Sequence, residues 1–256
     1  MNVYVCIKQV PDTEASLNIK EGKRINEENI KWVINPYDEY AIEEALKLKE
    51  KKPEIKVVLV TLGPVRVESA LRSGLAMGAD EAIHIEVADS LEPQITARAL
   101  AKAIEQEGDI GLVFTGKQAI DDDAYQTHLF IAEYLGLPAA TNVTAFSFQG
   151  DKVIVEREID EGSKEKIEMA LPCLVGASKG LNTPRYASLM GIMKAKKIAL
   201  KKLTLEGLGM KDIRHKVVAE KLVSPPEKPQ GKIIQGEPEE AVKELVRLLR
   251  EEAKVL

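Results

Sequence analysis

Residues 55–61 read Ile55-Lys56-Val57-Val58-Leu59-Val60-Thr61, an almost unbroken apolar run rich in β-branched side chains. Such a run suits a strand covered on both faces, and strands of that kind belong to parallel sheets. Similar runs occupy residues 2–9 and 110–115, and residues 81–86 supply a fourth. Helical spacing of apolar residues follows each, at 36–52, 65–77, 93–107 and 123–135. Strand and helix therefore alternate four times within the first 140 residues. That grammar predicts a doubly wound α/β fold: a mostly parallel, Rossmann-like sheet of the kind that binds adenine nucleotides, with right-handed crossovers.

The first helix is well marked. Asn35 suits its N-cap, Pro36 its first helical position, and Asp38 and Glu39 complement the positive end of its dipole. After residue 140 the pattern changes to period two at 144–148 and 153–159, with Gln149-Gly150-Asp151 between them, which predicts added antiparallel strands. Residues 172–177 form a further short apolar strand. From 201 to 235, with Pro225, Pro226 and Pro229, apolar periodicity fades and an extended arm is expected. Residues 237–256 close as an amphipathic helix, with Ala241, Val242, Leu245, Leu248 and Leu249 on one face. The expected organisation is a nucleotide-binding α/β domain over 1–200 and a C-terminal arm and helix over 201–256.

With 256 residues and 45% hydrophobic content, the chain can bury a large core. A net charge of −5 argues against nucleic acid as a partner. The first residues lack a basic n-region and a small-residue cleavage site, and no apolar run is long enough to span a bilayer, so a soluble, cytoplasmic protein without membrane insertion is expected. Cys6 and Cys173 lie in apolar stretches and read as reduced core thiols. His84, His128 and His215 have no metal-ligand spacing, so no metal site is inferred.

Two passages could carry function. The first is Gly116-Lys117-Gln118-Ala119-Ile120-Asp121-Asp122-Asp123-Ala124-Tyr125-Gln126-Thr127, where a buried strand ends and a helix begins. Open α/β sheets bind ligands in that crevice, and backbone N–H groups at a helix start receive phosphate. Gln126 and Thr127 suit phosphate oxygens, whereas the three acids suit a helix cap or ribose. An acidic cap without any ligand is the competing reading. In a parallel sheet, Cys6-Ile7-Lys8, Thr61-Leu62-Gly63-Pro64 and Asn35-Pro36-Tyr37-Asp38 would converge on the same edge. No GxGxxG, Walker loop, GxSxG or HExxH is present, so neither a common dinucleotide fingerprint nor an acid–base catalyst is indicated.

The second passage, residues 177–199, interleaves Arg185, Lys194 and Lys197 with Tyr186, Leu189, Met190, Ile192 and Met193. Cations around apolar anchors in an acidic protein suit docking to an acidic partner, and a lysine-rich solvated helix is the alternative.

At these passages the sequence resembles the beta (small) subunit of electron-transfer flavoproteins. The resemblance rests on residues 5–12, 35–38, 116–127, 155–162 and 181–197 in that order, and it runs from Met1 through the last helix. It implies an electron-carrier subunit of a heterodimer rather than a free-standing enzyme. Cys6, Asn35 to Asp38, Leu62 and Gly116 to Thr127 would surround a structural AMP. Redox-active FAD would be held mainly by the alpha subunit. Residues 177–199 would be a recognition loop, with Leu189 entering a pocket of a flavin dehydrogenase such as an acyl-CoA dehydrogenase. Electrons would pass to FAD and on to a membrane quinone reductase, as in fatty acid beta-oxidation. Lys194 and Lys197 align with lysines that some relatives methylate, Thr13 stands where some carry a tyrosine near the flavin, and the arm would wrap onto the alpha subunit.

A close alternative is an electron-bifurcating flavoprotein, whose beta subunit holds a second FAD in place of AMP and takes NADH as donor. Residues 8–13 and 35–40 look like that branch, whereas residues 120–127, 155–162 and 182–186 look like the AMP-containing one. The bulk of Asp122 and Tyr125 favours the smaller ligand. A free-standing adenine-nucleotide sensor or hydrolase of similar fold is a more distant alternative. It would need a glycine-rich phosphate loop and no arm.

Overall fold

The structure is a computed structural model that describes residues 1–256 except 21, 23, 212, 218, 219, 225 and 227–229. Pro225 and Pro229 of the expected arm thus lie outside the described residues. In chain order the elements are β1 (Asn2–Cys6), β2 (Gln9–Pro11), β3 (Ile19–Lys20), β4 (Arg24–Ile25), β5 (Trp32–Ile34), α1 (Pro36–Lys51), β6 (Lys56–Gly63), α2 (Glu68–Met77), β7 (Glu81–Glu86) and α3 (Pro93–Glu107). There follow β8 (Ile110–Gly116), α4 (Thr127–Leu135), β9 (Ala139–Phe148), β10 (Lys152–Glu158), β11 (Lys164–Ala170), β12 (Cys173–Ala177), α5 (Leu189–Lys197), β13 (Lys201–Thr204) and α6 (Pro238–Glu251).

The predicted α/β architecture is present as a nine-stranded sheet in the order β11-β10-β9-β12-β8-β1-β6-β7-β13. Neighbours from β9 to β13 pair in parallel, and β10 and β11 add antiparallel strands at one edge. Alternation along β1 explains why both faces are covered. Val3, Val5 and Ile7 join a core with α1 and α2, while Tyr4 and Cys6 join a second core with α3 and α4. After β7 the chain crosses by α3 to the far side of β1 and forms β8. The strand order therefore reverses between β1 and β8, and the crevice outside their carboxyl ends is where ligands of such sheets bind.

Two local expectations differ, and one strand was not foreseen. The helix expected from residue 123 begins at Thr127, because Asp123 (φ 45) and Tyr125 (φ 57) take left-handed backbone that no right-handed helix admits. Residues 164–170, which carry Lys164, Glu165, Lys166 and Glu168, form β11 as a charged edge strand, which such charges protect from pairing with another chain. The arm expected from residue 201 starts as β13, parallel to β7, and turns so that Leu208 and Met210 are buried against the α3 and α4 core.

Residues 1–18 and 26–219 make one compact unit, and residues 19–25 and 220–256 a second. In the second, β3 and β4 pair as a short antiparallel ribbon, and the Leu222 N–H donates to the Gly22 carbonyl at 2.7 Å. Its helix α6 is amphipathic as expected, with Lys243 paired to Glu239 and Arg247 to Glu244 and Glu251 on the polar side. No helix among the described residues is long and apolar enough to cross a membrane.

Candidate functional site

The switch point is organised by one buried carboxylate. Asp38, in the first turn of α1, accepts the Lys8 N–H at 2.7 Å and the Gly116 N–H at 2.9 Å, so it joins the ends of β1 and β8. Burial pushes its carboxyl up to about 7, against which these two N–H donors work. Gly116 is required by proximity: a Cβ there would lie 2.4 Å from Asp38 Oδ1 and 2.9 Å from the Tyr37 carbonyl carbon.

Asn35 occupies the N-cap position of α1, with Pro36 following it, yet its side chain makes no cap bond. Instead its amide donates to the Gln118 carbonyl at 2.8 Å and accepts the Ile120 N–H at 3.2 Å, which fixes the loop after β8. The acids of that loop do not cap α4 either. Asp121 and Asp122 bind the Lys8 ammonium at 2.8 and 2.9 Å, Asp122 also accepts the Ala124 N–H at 3.1 Å, and Asp123 accepts from the Gln118 amide. Burial would lower the Lys8 ammonium, but the two carboxylates outweigh it and hold it above its ordinary range. The bonds to Lys8 thus hold Asp121 and Asp122 toward β1, ahead of the left-handed residues and the helix.

Lys117 holds its ammonium 5.2 Å from the Tyr37 ring and 6.0 Å from the Tyr125 ring, and 3.2 Å from Asn142 Oδ1. Tyr125 in turn meets His128 edge to face at 5.6 Å. His128 is buried, its ring nitrogen 2.9 Å from Thr141 Oγ1, and burial pushes it down to about 4, so it is a neutral packing residue. Gln126 precedes α4, and its carbonyl accepts the Phe130 N–H at 3.0 Å, while Thr127 opens the helix.

Asn35, Tyr37, Asp38 and residues 116–127 thus come together at one edge. Cys6 and Leu62 sit lower, packed in the α3 and α4 core, and burial pushes the Cys6 thiol up. Lys8, just after β1, stands at this edge as the reading of the strand ends expected, whereas Thr115 was not singled out in the sequence. Thr115 is buried beside Gly116 with no partner for its hydroxyl, and only the fold reveals that.

The donor set suits a nucleotide. Two cations, an orphaned buried hydroxyl and the start of α4 offer groups for phosphate, while partly exposed carboxylates suit ribose hydroxyls. A separate groove of about 530 Å³, lined by residues that include Ile95, Arg98, Tyr134 and Met210, shares none of these side chains.

The second predicted passage is arranged differently. Tyr186, Leu189, Met190 and Met193 stand exposed around α5, and Ser188 caps the helix by accepting the Gly191 N–H at 3.0 Å. Arg185, expected among the docking residues, is engaged by Glu43 and Glu50 of α1.

A family model described as "Electron transfer flavoprotein domain" matches residues 23–207. The electron transfer flavoprotein subunit beta of Bacillus subtilis (strain 168) is 44% identical over 260 residues, covering 100% of both chains. Its counterpart in Mus musculus is 39% identical over 100% of this chain and 99% of its own. That of Homo sapiens is 39% identical over 98% of this chain and 97% of its own.

Proposed function

The chain belongs to the electron transfer flavoprotein family, on the side of its beta subunits, and from that membership we propose that it is the AMP-binding half of a heterodimeric electron carrier. The observation that carries this reading is the convergence of Lys8, Asp38, Gly116 and the 117–127 loop at the β1/β8 switch point. In this role Lys117, the N–H groups at the start of α4 and the Thr115 hydroxyl hold phosphate, and Asp121 and Asp122 face ribose. The site is structural: it locks the ends of β1, β8 and α1 together and transfers no proton.

FAD, held mainly by the alpha subunit, would supply the redox chemistry between a flavin dehydrogenase, such as an acyl-CoA dehydrogenase, and a membrane quinone reductase. This chain contributes docking. Leu189, Met190, Met193 and Tyr186 offer apolar anchors, and Lys194 and Lys197 steer an acidic partner surface toward them. The arm beyond residue 219 and α6 serve to hold the alpha subunit.

Co-expression with the alpha subunit, denaturation of the purified complex and chromatography of the released nucleotides test the proposal. About one AMP and one FAD per heterodimer supports it. Two FAD and no AMP overturns it in favour of a bifurcating flavoprotein.

A further inference from the structure

Tyr186 is 99% exposed, Met190 82% and Leu189 76%, an arrangement that water alone would not keep in order. What orders it lies behind the apolar side chains and is polar. Ahead of α5, Arg185 donates from Nε and Nη2 to the two oxygens of Glu43 at 2.8 and 2.9 Å, and from Nη1 to Glu50 at 2.7 Å. Its backbone N–H also reaches Glu43, at 3.1 Å. Asn182 donates its amide to the Tyr40 carbonyl and to Glu44, each at 2.9 Å. Glu43 and Glu44 are both buried on α1.

At the other end, Arg72 of α2 donates from Nη1 to the carbonyls of Ala195 and Ile198 at the C-terminus of α5. Between the two clamps α5 rests directly on the end of α2. A Cβ at Gly191 would lie 2.3 Å from the Ala76 carbonyl oxygen, and Ala195 is buried. Lys194, Lys196 and Lys197 have no ion-pair partner among the described residues, so the cations are divided. Arginines bind inward and lysines face out.

We propose that Arg185 and Arg72 are positioning residues, which fix residues 182–198 against α1 and α2 so that the apolar anchors meet a dehydrogenase in one preformed arrangement. This rests on the docking role proposed above, and neither arginine touches the partner. A segment ordered before encounter loses less freedom on binding than one that must fold onto its partner. The bidentate fork on Glu43 needs a planar guanidinium, for which an ammonium is a poor substitute, whereas Arg72 reaches both carbonyls from its single Nη1.

The test uses the complete heterodimer, with an acyl-CoA dehydrogenase and its substrate reducing the flavin. Three variants are compared: the double variant Arg185→Ala/Glu43→Ala, which leaves no buried charge unpaired, Arg72→Ala, and Leu189→Ala. Hydrogen exchange of the α5 amides is measured beside KM for the heterodimer and kcat. The expected result is faster α5 exchange in both arginine variants and a KM raised roughly tenfold with kcat nearly unchanged. Leu189→Ala should raise KM with normal exchange. Unchanged α5 exchange in the arginine variants overturns the proposal, as does faster exchange with normal KM while Leu189→Ala still weakens docking. Leu189→Ala without effect on KM overturns the docking role itself.

Discussion

Asp38 Oδ1 accepts the Gly116 N–H at 2.9 Å, which ties the first turn of α1 to the last residue of β8. A carboxylate suits this position because both its oxygens face N–H donors, Lys8 supplying the second. An asparagine would oppose one of those donors with its own NH₂ group.

The pH dependence of stability should come from two buried groups of opposite sign. The Asp38 carboxyl is raised to about 7, so the folded state holds its proton longer than the unfolded chain, and this contribution is lost as pH rises from about 4 to 7. His128 is lowered to about 4, so its contribution is lost as pH falls from about 6.5 to 4. The two slopes oppose each other in the shared window. Asp38→Asn should therefore expose a stability that increases from pH 4 to 6.5 in urea titrations, where the parent chain is flatter.

Lys8→Met should leave thermal stability nearly unchanged, because its ion pairs with Asp121 and Asp122 are partly exposed and worth about 1 kcal/mol or less. Released AMP per heterodimer should fall all the same, since the two acids lose the cation that turns them toward β1. A full complement of AMP in this variant would remove Lys8 from the site.

Gly116→Ala should destabilise the fold by about 1–3 kcal/mol, because the added methyl meets the buried Asp38 carboxylate, which two N–H donors hold in place, and the backbone of Tyr37. Urea unfolding measures the cost. The same substitution at Gly150, which has open space around it, tests only backbone preference and serves as the comparison.

Lys194→Glu/Lys197→Glu should slow association with the dehydrogenase and weaken its dependence on ionic strength, with α5 still folded. Stopped-flow traces at several salt concentrations separate this steering effect from loss of the apolar anchors.

The sheet was legible because its central strands are continuous apolar runs and its helices have marked ends, as at Asn35-Pro36 and Gly78. The loop after β8 was legible as lying at the carboxyl edge of the sheet but not in its wiring. Nothing local signals that Asp123 and Tyr125 adopt left-handed backbone, or that Asn35 bonds across the crevice instead of capping its own helix. Strands β11 and β13 were missed because Lys164-Glu165-Lys166 and Lys201-Lys202 read as solvated surface, and their edge positions permit that composition. Arg185 reads as a free cation in sequence, since its partners Glu43 and Glu50 lie 142 and 135 residues away.

Strands β12 and β13 stand five places apart in the same sheet, with β8, β1, β6 and β7 between them. The chain joining them must cross roughly 24 Å, five strand spacings of about 4.8 Å, and it does so over the α1 and α2 side. The segment between them is consequently a strap with both ends sewn into one fabric. A nick within it severs the chain without freeing either piece, and a partner that tugs on α5 pulls against the full width of the sheet.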